Sequence, residues 1–199
     1  MKTARNGIQE LIGSAPRMRR AFAGLALGIA LATGSSVCVA TPRAASVTPA
    51  NERKAAPDFA LQNDKGALLK LSEFKGKVVV LDFWATWCHG CKLVIPWFME
   101  FEKKYKDSGL VVIGVSMDAD GWKSVKPYVA MKKMNYPVVI GNDGLAQKFG
   151  LSSMPMTLLI DREGKVADKH VGVVDKSVWE SEIRTLLQDG SKAFIIPAR

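Results

Sequence analysis

Seven consecutive residues, Val78 to Trp84 (VVVLDFW), are aliphatic or aromatic except for one acid, Asp82. A run of that length and composition suits a strand buried on both faces of a sheet. Such a strand needs partner strands beside it and covering layers above and below. Leu110 to Ser116 reads as a second buried strand and Val138 to Ile140 as a third. Met156 to Ile160 and Lys165 to Val174 form a hairpin about the turn Asp161-Arg162-Glu163-Gly164. Short strand-like pieces occur at Phe59 to Leu61 and Leu68 to Leu71. Helical patterns lie between them. Val94, Phe98, Phe101 and Tyr105 share one face of a helix from Cys88 to Asp107, which Pro96 should kink and Gly109 should end. Further helices are expected from Gly121 to Met134, from Asn142 to Phe149, and from Asp175 to Gln188. The alternation predicts an α/β sandwich, a mixed central sheet with helices on both faces.

The chain has 199 residues, enough for one domain with an appended segment. Met18-Arg19-Arg20, the apolar run Ala21 to Ala32, and small residues at Cys38 and Ala40 have the form of an export signal. Residues 1–17 are superfluous to that signal, since Met18 opens it unaided. The apolar run is about a dozen residues, short of the ~20 that cross a bilayer. Cleavage after Ala40 is therefore expected, with a retained anchor facing the periplasm as the alternative. A lipidated Cys38 is disfavoured by the bulk of Val37 before it. The expected organisation is an N-terminal extension and signal peptide at 1–40, a linker at 41–50, one domain at 51–190 and a tail at 191–199. No periodicity is visible until about residue 56. Residues 1–40 contribute +4 of the net charge of +9, and the remaining lysines are spread over several segments and interleaved with acids, which implies a solvated basic surface and no nucleic-acid partner.

Three cysteines are present, Cys38, Cys88 and Cys91. The last two stand in WATWCHGCK, directly after the buried run and at the first turn of the expected helix. Three-residue spacing puts both side chains on one helical face, within reach of a disulfide. The helix N-terminus favours a thiolate through its free N–H groups and partial positive charge. A structural bond across so small a loop would remove little unfolded-state entropy. A zinc site needs about four ligands, and the two imidazoles, His89 and His170, are far apart in sequence. Redox chemistry is the expected use of the pair, with no metal and no cofactor.

The segment VVVLDFWATWCHGCK resembles the active-site segment of thioredoxin-fold proteins. With PDFALQNDKG, VVIGVSMDAD and SMPMTLLIDREGKV, the region from about Asn51 to Gln188 is similar to the exported TlpA/ResA-type thiol–disulfide oxidoreductases. The resemblance implies a thioredoxin-like fold, with Cys88 as attacking thiol and Cys91 as resolving thiol. It also implies that Pro155, after Met154, is a cis-proline opposite the pair that contacts bound substrate, and that Trp87 belongs to the docking surface. On the residues alone, Met154-Pro155 is equally an ordinary trans turn and Trp87 a packing residue. Asp82, six residues before Cys88, needs either a raised pKa or a partner if buried. In thioredoxin an aspartate here relays protons to the resolving cysteine; a pairing with Lys77 or Lys92 is the alternative. Two departures stand out. Val94 occupies the place where TlpA/ResA-type proteins often carry glutamate, and Gly90 replaces the usual proline. His89 and Lys92 would tune the thiolate through their charge.

The expected function is periplasmic exchange of disulfides with exported proteins, as a reductant recharged by a membrane thiol–disulfide donor, the protein acting as a monomer. Apocytochrome c thiols are one candidate substrate. The alternatives are a thiol-dependent peroxidase, though Thr86 is one place too close to Cys88 for the peroxiredoxin pattern, and a copper or zinc carrier.

Overall fold

A computed structural model describes residues 47–192. The export signal expected over 1–40 and the tail past Lys192 lie outside the described residues. The first half contains β1 (Lys54–Ala55), β2 (Ala60–Gln62), β3 (Leu68–Lys70), β4 (Val78–Trp84), α1 (His89–Tyr105) and β5 (Leu110–Ser116). The second half contains α2 (Trp122–Lys132), β6 (Val138–Ile140), α3 (Asp143–Phe149), β7 (Met156–Ile160), β8 (Lys165–Val171) and α4 (Lys176–Lys192). Six strands form one mixed sheet in the order β1-β8-β7-β4-β5-β6, and β2 with β3 makes a separate antiparallel pair. β4 runs parallel to β5 and antiparallel to β7, so it lies inside the sheet with a partner on each side.

All seven residues of β4 are buried. Alternate side chains point to opposite faces of a strand, and they divide accordingly. Val78, Val80 and Trp84 pack with Val94, Ile95, Phe98 and Phe101 of α1, with α2, and with Trp179 and Ile183 of α4. Val79, Leu81 and Phe83 pack with Leu145 and Phe149 of α3 and with Phe59, Leu69 and Leu71. The expected layering is therefore present, with the β2–β3 pair helping α3 to cover the second face.

Where expectation and structure differ, the reason is tertiary. The linker expected over 41–50 makes contacts in its described part: Thr48 N–H donates to Ala167 O at 2.8 Å, and Val47 packs on the core. Lys54 and Ala55 pair with Val166 and Lys165 as an edge strand, although both side chains are exposed and carry no pattern. Pro96 lies within α1, which continues as one α-helix to Tyr105. α4 runs two residues beyond the expected domain boundary at 190. Among the described residues, no helix is long and apolar enough to cross a membrane.

α4 is fastened to the sheet partly by charge. Glu182, 2% exposed, meets His170 Nε2 of β8 at 2.8 Å, and Asp168 approaches the same nitrogen at 3.3 Å. Trp179 stands edge-on to the imidazole, with ring centroids 4.4 Å apart. The ligand atoms of Asp168, His170 and Glu182 fall within 4.8 Å of one another, and the direct His170–Glu182 contact makes the group an ion pair. The hydrogen bond to Glu182 raises the His170 pKa above its ordinary 6.5, burial opposes the rise, and the Glu182 and Asp168 charges add to it. A raised basic pKa contributes stability that is complete below about 6.5 and is lost as pH rises through the folded-state value. His170→Gln should therefore destabilise the protein more at pH 6 than at pH 9 in denaturant titrations. A penalty independent of pH would mean that the ring acts by packing alone.

Candidate active site

β4 ends at Trp84, and the chain turns through Ala85, Thr86 and Trp87 before α1 begins. Cys88 N–H donates to Ala85 O at 3.1 Å, closing that turn. Cys88 is the N-cap of α1, and its Sγ accepts the Cys91 N–H at 3.2 Å. A sulfur thus takes the place of the usual capping oxygen and satisfies one of the free N–H groups at the helix start. Cys88 and Cys91 form a disulfide with Cα atoms 5.3 Å apart. Cys91 is fully buried, while Cys88 keeps a 6% opening to solvent. The two sulfurs are thus unequal, and only Cys88 can be reached from outside.

The residues expected around the pair are distributed as follows. Trp87 is 62% exposed, immediately before Cys88. His89 and Lys92 are exposed on the first turn of α1. The Met154–Pro155 peptide is cis, Met154 is partly buried and Pro155 is buried. Gly90 brings this loop against the pair: a Cβ built at Gly90 would lie 3.0 Å from Pro155 Cδ and 3.2 Å from Val173 Cγ2. The glycine in the C-x-x-C turn therefore permits a close approach that a side chain would obstruct. Val94 is 1% exposed and belongs to the core.

Asp82 is fully buried, and by alternation along β4 it shares the sheet face that α1 covers. Thr157 Oγ1 of β7 donates to its Oδ1 at 2.8 Å, whereas Oδ2 has no hydrogen-bond partner among the described residues. Asp82 takes part in no ion pair among the described residues, so the alternative pairing with Lys77 or Lys92 is not formed. Burial pushes its pKa up from 3.8 to about 7, against the lowering effect of the Thr157 bond. Tyr136 is held well above the ordinary tyrosine value, first by burial and then by the Asp82 charge. Its hydroxyl and the Trp84 Nε1 likewise lack partners among the described residues. Asp82 is therefore an acid that can take up or release a proton near neutrality.

One group at the site carried no signal in the sequence beyond its place in VVIGVSMDAD. Asp118, just past β5 and 5% exposed, accepts Thr86 N–H at 3.0 Å, Thr86 Oγ1–H at 2.5 Å and Ser116 Oγ–H at 2.7 Å. It ties the loop before Cys88 to the neighbouring strand.

A fold with a C-x-x-C disulfide capping the helix that follows a central strand defines a class of redox protein, and comparison with known proteins places the chain within it. The model of the AhpC/TSA family matches residues 53–169. The thiol-disulfide oxidoreductase ResA of Bacillus thuringiensis subsp. konkukian is 34% identical over 135 residues, covering 67% of this chain and 77% of that one. The thioredoxin-like protein YneN of Bacillus subtilis is 31% identical over 133 residues, covering 66% and 78%. Among solved structures, a Chlorobium tepidum chain provisionally assigned as a thiol:disulfide interchange protein DsbE is 38% identical, with a TM-score of 0.64 over 68% of this chain and 96% of that one. The chain belongs to the AhpC/TSA thioredoxin-fold family and is of the TlpA/ResA type, a thiol–disulfide oxidoreductase.

The Asp82 environment has a measurable consequence. A carboxyl whose pKa is raised in the fold lowers stability progressively as pH climbs from its unfolded value to its folded one, here from about 4 to about 7. The full effect is roughly 4 kcal/mol. Asp82→Asn should match the parent in stability near pH 4 and exceed it at pH 8, as read by chemical denaturation. A variant weakened at every pH would show that the carboxylate is a structural partner.

Proposed function

We propose that the protein is exported and acts in the periplasm as a dithiol reductant of disulfides in exported proteins, through Cys88 and Cys91. The observation that carries this reading is the unequal pair at the start of α1, with an uncompensated acid on the same face of the sheet. In the reduced protein the Cys88 thiolate would occupy the N-cap, where the Cys91 N–H and the helix dipole favour its charge. An unperturbed thiol, pKa ~8.5, is only a few per cent ionised at neutral pH, so a fall to ~7 raises the attacking species more than tenfold. The exposed positive groups His89 and Lys92 flank this position and act in the same direction when charged.

The exchange then runs in two steps. Cys88 thiolate attacks one sulfur of a substrate disulfide, forming a mixed disulfide and releasing the other sulfur as a thiolate. Cys91 gives its proton to the Asp82 carboxylate and attacks Cys88 Sγ, which releases the second substrate thiolate and forms the Cys88–Cys91 bond. Two electrons pass to the substrate, which gains two protons. A membrane dithiol donor restores the pair by the same exchange in reverse. Trp87, Met154 and Pro155 form the surface that receives the substrate, whose backbone lies against the cis-proline. The export pattern of residues 18–40 supports the periplasmic setting, and disulfide-bonded apocytochrome c is one substrate that a ResA-like protein would meet.

Cys91→Ser blocks the second step and leaves the first intact. When expressed in cells it should accumulate adducts joined through Cys88 that disappear on adding dithiothreitol, identified by non-reducing electrophoresis and mass spectrometry. Adducts trapped by Cys88→Ser and absent from Cys91→Ser would reverse the two roles.

A further inference from the structure

The loop that delivers Trp87 and Cys88 is held from one side by a single buried carboxylate. Three donors converge on Asp118: the Thr86 amide on Oδ2, the Thr86 hydroxyl on Oδ1 and the Ser116 hydroxyl on Oδ2. The Asp118 amide in turn donates to Ser116 Oγ at 3.2 Å, and Ser116 is itself fully buried. Met117 N–H donates to Trp84 O at 2.8 Å, so the join continues the β4–β5 ladder past the end of the sheet. No ion pair among the described residues includes Asp118. The contacts described at its oxygens are hydrogen bonds from neutral donors, and hydrogen bonds to a carboxylate are of the stronger kind. Two acceptor oxygens are needed to take three donors that approach from two residues, which a carboxylate offers and a side-chain amide does not.

The position of the clamp matters for the chemistry. Thr86 is two residues before Cys88, and Cys88 N–H is bound to Ala85 O. The anchored segment is therefore the segment that sets where Cys88 Sγ meets the Cys91 N–H. With the disulfide open, the described backbone bonds of Cys88 are those to Ala85 and Lys92, and the first of these lies within the anchored loop.

We propose that Asp118 is a positioning residue for thiol–disulfide exchange: through Thr86 it holds the loop Ala85–Trp87 so that Cys88 sits as the cap of α1 when the disulfide is open. This rests on the reading of Cys88 as the attacking thiol. Loosening the clamp leaves the sheet intact but lets the sulfur move off the helix N-terminus, so the thiolate loses part of its stabilisation.

The test uses the full chain, reduced, with iodoacetamide alkylation followed for each cysteine peptide by mass spectrometry between pH 5 and pH 10. Thr86→Val removes the hydroxyl donor without changing charge or disturbing the amide bond to Asp118. It should move the Cys88 inflection to higher pH and slow Cys88 alkylation at pH 7 at least threefold, with thermal unfolding recorded to show that the fold persists. A merely structural role would lower the unfolding temperature and leave the inflection in place, which would overturn the proposal. So would an inflection unmoved in Thr86→Val and lowered in Asp118→Asn, the response to a remote negative charge that acts only by its field. If Cys91 reacts faster than Cys88 in the unaltered protein, the assignment of attacking thiol fails, while the shift of the Cys88 inflection still decides the clamp.

Discussion

The structure depends on the complete burial of β4. A strand with a parallel neighbour on one side, an antiparallel neighbour on the other and helices over its face leaves no route to water for any side chain. Six of its seven residues gain from this, and one does not. The apolar six join two separate packing layers, which is what makes the sheet the centre of the molecule. Asp82 is placed where an ionised carboxyl is expensive, with one hydroxyl to satisfy one oxygen. Its titration near neutrality follows from that location and needs no neighbouring charge.

The same strand decides where the sulfur chemistry takes place. Its end feeds a short loop into the N-terminus of α1, so the first cysteine caps the helix and the second is carried into the core one turn later. A helix start lowers the energy of a thiolate, and in the proposed exchange the buried acid accepts the proton of the second thiol. The two effects act on different sulfurs. In that proposal the direction of attack follows from the unequal burial of the pair, one sulfur being reachable and the other enclosed.

Much of this was legible in the sequence, and the parts that were not have a common cause. The pairing of Cys88 with Cys91 could be read because i and i+3 on a helix are neighbours whatever the rest of the chain does. The burial of Asp82 was readable from its apolar flanks. Its hydrogen bond to Thr157 was not, because that partner is brought up by β7 from 75 residues away. Pro155 illustrates the difference between pattern and resemblance: residues alone leave it an ordinary turn, and only the likeness to thioredoxin-fold proteins put it opposite the cysteines. The strand β1 escaped because an exposed two-residue edge has no periodicity to detect. Asp118 escaped because a lone acid after a strand looks like any loop residue until Thr86 is seen against it.

The central claim is that this site donates electrons, and the reduction potential of the Cys88–Cys91 couple tests it most directly. Equilibration with defined thiol–disulfide buffers at pH 7, with the pair quantified after acid quenching and alkylation, gives the value. The account predicts a couple more negative than about −200 mV, towards the thioredoxin value of about −270 mV. A potential near that of a strong oxidant such as DsbA, about −120 mV, would contradict it and make the protein a source of disulfides.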